Sequence, residues 1–137
     1  MLEIARNAYA RLVGHALDEY PLEMCGLLAG PASDGRPGNR AIEFYPCHND
    51  DRSARVYTVN PRDHMRAEQA ADDLDFEING VVHSHTHSEP YPSPTDVAAA
   101  VSADWHYVIV SLKREAPEVR SYRIVDGEIV AEPLVVV

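Results

Sequence analysis

Apolar residues recur at helical spacing through the first twenty positions: Ile4, Ala8, Leu12, Ala16 and Tyr20, with Ala5, Tyr9, Val13 and Leu17 beside them. This spacing predicts an amphipathic helix over 4–19, ended by Pro21. The pattern then changes. After Glu23, the run Met24-Cys25-Gly26-Leu27-Leu28-Ala29 is unbroken and apolar, as in a strand buried on both faces. Gly26 within it implies the close approach of another group. Residues 31–39 have the composition of a loop. Residues 41–47 alternate between apolar and polar and predict a second strand, paired with the first as a hairpin.

Residues 48–54 are polar and predict a loop near the functional region. Residues 56–59 predict a short strand. Pro61 opens a helix to about Leu74, with Met65, Ala67, Ala70, Ala71 and Leu74 as its inner face. Residues 78–82 are rich in β-branched side chains and predict a buried strand that ends at His83. Ser93-Pro94-Thr95-Asp96 is a helix start, with Ser as cap, Pro at the first position and an acid at the third. The small apolar residues at 97–101 predict close packing of that helix. Residues 107–112 predict another buried strand, and 119–125 alternate again. Asp126-Gly127 is a two-residue hairpin signal leading into 129–137. The order is that of a mixed α/β (α+β) fold with a largely central sheet, in one domain over 1–137.

Composition narrows this little. The 137 residues are 45% hydrophobic and 25% charged, which suits an ordinary globular core. The formal net charge of −10 argues against a surface for nucleic acid or an anionic membrane. No apolar span or leader is recognisable, and the two cysteines, Cys25 and Cys47, lack the paired spacing of a zinc site. Two reduced thiols in a cytoplasmic protein are the simplest expectation.

The chemistry concentrates in one stretch. Successive odd positions of a strand share a face, so His83 and His85 point the same way from the strand's carboxyl end. Eleven residues on, Asp96 sits in the first turn of the predicted helix, which aims it back at that end. Two imidazoles and a carboxylate suffice for a catalytic zinc with an open fourth position. Asp96 is equally an ordinary N-terminal acid, and a His-x-His pair alone is more often not a metal site.

The full set is more specific: Glu23 upstream with Gly26 after it, then His83-x-His85, seven residues, Ser93, two residues, Asp96. It resembles the zinc motif of the JAMM (MPN-plus) metallopeptidases, and the resemblance covers nearly the whole chain. Within that family it is similar to the small bacterial branch that releases cysteine from the C-terminus of a ubiquitin-like sulfur carrier protein. The resemblance rests there on residues 23–30, the His-Ser-His-Thr run, Pro90-Tyr91-Pro92-Ser93 and residues 120–127. Many members carry proline after the second histidine, where this chain has Thr86. A third histidine, His87, offers a second His-x-His pair, although Pro90 and Pro92 imply that the strand has already ended. Glu89 is a nearby acid whose simplest reading is a loop residue.

The resemblance implies a three-layer JAMM/MPN-like domain, related to the cytidine-deaminase fold, with Zn2+ held by His83, His85 and Asp96. It implies Glu23 as general base and Ser93 as oxyanion donor; Ser84 and the loop after Cys47 are candidates for the walls of the cleft. The expected partner is a ubiquitin-like sulfur carrier with a Gly-Gly tail, cut at the amide bond after that tail. The alternatives are a non-catalytic MPN-type scaffold or a peptidase trimming another C-terminal extension. A nucleobase deaminase would need His-x-Glu and Pro-Cys-x-x-Cys, and the chain has neither.

Overall fold

A computed structural model describes residues 1–137. Its elements are β1 (Leu2–Ile4), α1 (Arg6–Glu19), β2 (Cys25–Pro31), β3 (Arg40–Ala41), β4 (Glu43–Cys47), α2 (Pro61–Asp73), β5 (Phe76–His85), α3 (Pro94–Ala99), β6 (His106–Ser111), β7 (Glu118–Val125), β8 (Glu128–Glu132) and β9 (Leu134–Val136). A six-stranded sheet in the order β4-β2-β5-β6-β7-β8 is central. Only β5 and β6 run parallel within it; the other pairs are antiparallel. A second sheet, β3-β1-β9, is wholly parallel and was not expected.

Two apolar clusters lie on the two faces of the central sheet. On one, Ala8, Leu12 and Ala16 of α1 pack with Met24, Leu28, Phe44, Val82, Val108 and Val110. On the other, Ala67 and Ala71 of α2 pack with Cys25, Leu27, Val81, Tyr107 and Ile109. Strand alternation explains the division, because neighbours such as Val81 and Val82 must face opposite ways. This is the mixed sheet with flanking helices that the sequence predicts. Gly26 does accept a close neighbour. A methyl group there would lie 2.7 Å from the Tyr45 carbonyl oxygen and against the Phe44 ring.

Several local expectations fail. Residues 2–4 are a strand: Leu2 and Ile4 are buried about a half-buried Glu3, a period of two hidden inside the helical spacing. Leu17 and Tyr20 are exposed, so the buried stripe of α1 is narrower than expected. Residues 56–59 form no strand, only an Asn49–Val59 bridge, because the Asn49 carboxamide occupies their backbone. On α2, Met65 and Leu74 face solvent and only the two small alanines are buried. The 97–101 run is not closely packed either, and Val101 is 76% exposed. Residues 129–137 divide at Pro133, whose missing N–H breaks the ladder and releases β9 to pair with β1.

The hairpin at Asp126-Gly127 forms as expected, with φ of 51° and 78°. Those left-handed values fit the turn that matches strand twist. No helix is long and apolar enough to cross a membrane.

Candidate active site

β5 carries the site. It runs two residues further than the apolar run predicts, to His85, because β6 pairs with it along that length, Ser111 opposite His85. His83 and His85 stand on the α2 side of the sheet, and both are buried. On the other flank, β2 runs antiparallel, with Cys25 opposite His83. The pairing continues past the strand: the Ser84 N–H donates to the Met24 carbonyl at 3.1 Å, and the Met24 N–H to Ser84 Oγ at 2.8 Å. That register brings Glu23 alongside His85. It also turns Ser84 inward, so Ser84 is fully buried and does not line the cleft as expected.

Asp96 arrives from α3. The helix starts with a reciprocal cap: the Asp96 N–H donates to Ser93 Oγ at 3.1 Å, and the Ser93 N–H donates to Asp96 Oδ2 at 2.8 Å. The cap fixes the carboxylate. Its Oδ2 lies 3.1 Å from His83 Nε2 and 3.1 Å from His85 Nε2, and the two nitrogens are 3.1 Å apart. The helix-start reading and the site reading of Asp96 therefore hold together.

Three donor atoms at the corners of an equilateral triangle can be tested against a metal. A tetrahedral ion with bonds of ~2.0 Å spaces its donors by about 3.3 Å. The 3.1 Å edges fit that spacing, and two imidazoles with one carboxylate are a suitable donor set for zinc. Two imidazole lone pairs and a carboxylate oxygen this close repel one another unless a positive charge is shared between them. His85 Nδ1 donates to the Glu89 carbonyl at 2.7 Å, which leaves Nε2 as the free lone pair. The His83 ring is stacked on Tyr57, with centroids 4.4 Å apart.

The electrostatics follow from burial and pairing. Burial alone would raise the Asp96 pKa, but the hydrogen bonds with His83 and His85 outweigh it and hold the carboxyl well below its usual range. Burial holds His83 below the usual imidazole value. Burial also disfavours charge on His85, yet the bond to Asp96 prevails and raises it. Glu23 is only 3% exposed, and its Oε1 has no hydrogen-bond partner. Burial pushes its pKa up to about 7, with His85 opposing the rise and Asp96 adding to it. A carboxyl poised near neutrality beside two histidines is a proton acceptor of the right strength for a reaction at neutral pH.

An open cleft of 430 Å³ faces these groups, lined by Glu23, His85, Ser93, Ala54, Arg55, His87 and Ser88. Ala54 and Arg55 come from the loop after Cys47, as expected. His87 is exposed and stands outside the three-donor cluster. Glu89 is an exposed loop residue held by Lys113 and Arg114, whose hydrogen bonds and charge lower its pKa to about 2. Cys25 and Cys47 are free, buried and opposite each other across the hairpin, and burial pushes Cys47 up to about 12.

Several positioning residues carry no sequence signal. Ser111 Oγ donates to the Ser88 carbonyl at 2.7 Å, and Tyr122 Oη donates to the Pro90 carbonyl, so the His85-to-Ser93 loop is pinned from β6 and β7. Asn49 Nδ2 donates to the Glu23 carbonyl at 3.0 Å. Each is an ordinary polar residue whose partner is a distant backbone carbonyl, which no local spacing can disclose.

The fold and site define a JAB-type domain, and the comparisons agree. Residues 5–125 match the family of prokaryotic homologs of the JAB domain, and the chain belongs to that family. It is 41% identical over 138 residues to the CysO-cysteine peptidase of Mycobacterium tuberculosis, covering 100% of this chain and 92% of that one. It is 32% identical over 115 residues to the desampylase of Haloferax volcanii, covering 80% of each. Among solved structures, protein DSY2949 from Desulfitobacterium hafniense superposes with a TM-score of 0.84 at 26% identity, covering 100% of this chain and 93% of that one. AF2198, a JAB1/MPN domain protein from Archaeoglobus fulgidus, shares the fold at a TM-score of 0.62 and 20% identity, covering 99% and 97%.

Proposed function

We propose that this chain is a zinc-dependent peptidase that hydrolyses the amide bond after the Gly-Gly tail of a ubiquitin-like sulfur carrier protein and releases cysteine. The observation that carries the reading is the triangle of donors from His83, His85 and Asp96 beside a buried, unpartnered Glu23. The 41% identity to a CysO-cysteine peptidase over the full chain supports the choice of substrate, and the desampylase likeness supports a small protein as the partner.

His83, His85 and Asp96 would hold the ion, which when bound acts as a Lewis acid and lowers the pKa of water to about 7. Glu23 accepts a proton from the attacking water and delivers it to the departing nitrogen as the C–N bond breaks and the C–O bond forms. Burial in the cleft favours the protonated form of that carboxyl, which helps it take the proton. Ser93 Oγ accepts its cap bond from the Asp96 N–H, and its own hydrogen remains available to donate to the developing oxyanion. The Ser93–Asp96 cap holds both groups on one rigid turn. A glycine-ending tail suits the cleft, since it lies extended and carries no side chain past the walls.

The test is direct. The zinc-loaded protein is incubated with the host's Gly-Gly carrier extended by cysteine, and the products are weighed by mass spectrometry. Carrier shortened by one cysteine supports the reading, and intact carrier with every such substrate of the host rejects it.

A further inference from the structure

The cleft holds one permanently charged cation, and the reaction above does not use it. Arg55 lines the cleft with Glu23, His85 and Ser93. In a chain of net charge −10, five basic side chains pair with an acid: Arg40, Arg66, Lys113, Arg114 and Arg120. The Arg55 guanidinium enters no ion pair and no hydrogen bond within the chain; only its backbone N–H is engaged, at 3.0 Å from Ser53 Oγ.

The backbone that carries it is anchored on every side. The Glu23 N–H donates to the Ser53 carbonyl at 2.7 Å, so the loop is tied to the acid itself. Thr86 Oγ1 donates to the Ala54 carbonyl at 3.2 Å from just beyond β5. Asn49 Nδ2 donates to the Val56 carbonyl at 3.0 Å. Thr86 thus serves to fasten this loop. A planar guanidinium on a fixed backbone, without an internal partner, is suited to a carboxylate, which it grips through two parallel N–H bonds.

We propose that Arg55 forms a subsite for the α-carboxylate of the residue that leaves, so that the enzyme selects a free C-terminal amino acid over a longer extension. The inference rests on the peptidase reading and adds its direction of attack. Hydrolysis of the Gly–Cys bond adds water, frees the carrier's glycine carboxylate and frees a cysteine with its own α-carboxylate. A substrate joined through an isopeptide bond, or continuing past the cysteine, offers no carboxylate at that place. Arg55 is then a specificity-determining residue that acts on binding and leaves the proton transfers to Glu23.

Two measurements decide it. The first compares kcat/KM for carrier ending in cysteine and carrier ending in cysteinamide. The native protein is expected to prefer the free acid by about tenfold, the worth of one charge-assisted hydrogen-bonded contact at a partly open site, expressed in KM. Arg55→Ala is expected to lose that preference and Arg55→Lys to recover part of it. The second titrates the peptide Gly-Gly-Cys and its C-terminal amide into the zinc-loaded Glu23→Gln variant, with and without Arg55→Ala. The expected result is a roughly tenfold loss of affinity confined to the free acid. An unchanged acid-to-amide ratio in Arg55→Ala overturns the subsite. If no carrier is cleaved at all, the peptidase reading fails, while the peptide titration still decides the fate of Arg55.

Discussion

Glu23 is placed as a base at the expense of stability, and that can be measured without any substrate. Its carboxyl is buried beside Asp96, with one oxygen unpartnered and a pKa raised from 4.5 to about 7, first by burial. A folded-state pKa above the unfolded value means that the folded protein binds the extra proton between about pH 4.5 and 7. Stability is therefore full below pH 4.5 and falls as the pH rises through 7. At 1.36 kcal/mol per pH unit the rise amounts to at most ~3 kcal/mol, and water entering the open cleft reduces it to about 2. Glu23→Gln keeps the shape and removes the charge. Denaturant unfolding of the metal-free native and variant proteins at pH 5 and pH 8 is the assay. The two proteins should differ little at pH 5, and the variant should be about 2 kcal/mol more stable at pH 8. The comparison at each pH reports Glu23 together with its coupling to His85. A variant less stable than the native protein at pH 8 would mean that the carboxylate is a satisfied structural ion, and the base assignment would lose its physical ground.

Further outcomes follow from the same geometry. His83→Ala and Asp96→Ala should each lose bound zinc and turnover together, read by elemental analysis and the carrier assay. Glu23→Gln should retain zinc and lose turnover; full activity in that variant would refute its role. Ser93→Ala should lower turnover by roughly 100- to 1,000-fold with zinc retained, and cost about 1 kcal/mol of stability through the lost cap; loss of zinc instead would make Ser93 chiefly the support of Asp96. Gly26→Ala, whose methyl group would press on Phe44 and the Tyr45 carbonyl, should cost at least ~1–3 kcal/mol in a denaturant titration, and a neutral result would show that β4 can move away.

Much of this was legible from the chain because its signals are local and periodic. The run after Glu23, the His-x-His pair at a strand end and the Ser93-to-Asp96 cap each act over a few residues, and each forms where expected. What stayed hidden is long-range. Leu2 and Ile4 fit a helix or a strand equally well, and long-range pairing with β3 on one side and β9 on the other selects the strand. Residues 56–59 look extended, yet their backbone is claimed by Asn49. The alanine-rich 97–101 run looks like core, but so short a helix has nothing above it to cover its outer face. Among site residues, Tyr57, Ser111 and Tyr122 went unrecognised because a stacked ring or a bond to a carbonyl leaves no spacing to read.

The three-donor triangle depends finally on sheet register. His83 and His85 face α3 only because β5 is held in one phase by two neighbours of opposite direction, β2 antiparallel and β6 parallel. A slip of one residue would turn both imidazoles into the α1 core and bring Ser84 to the cleft. The bonds that forbid the slip sit at the site itself: Met24 with Ser84 on one side, and on the other the Leu112 N–H donating to the His85 carbonyl at 2.9 Å. A buried serine that no chemistry uses thus helps to fix the phase of the two histidines. Ser84→Ala should keep the fold while orphaning the Met24 N–H, at a cost of about 1–3 kcal/mol. Its effect should appear as weaker zinc retention, because Glu23 and the histidines are then less firmly held. Unaltered zinc affinity in a destabilised Ser84→Ala protein would show that the register is secured elsewhere, along the β5–β6 ladder.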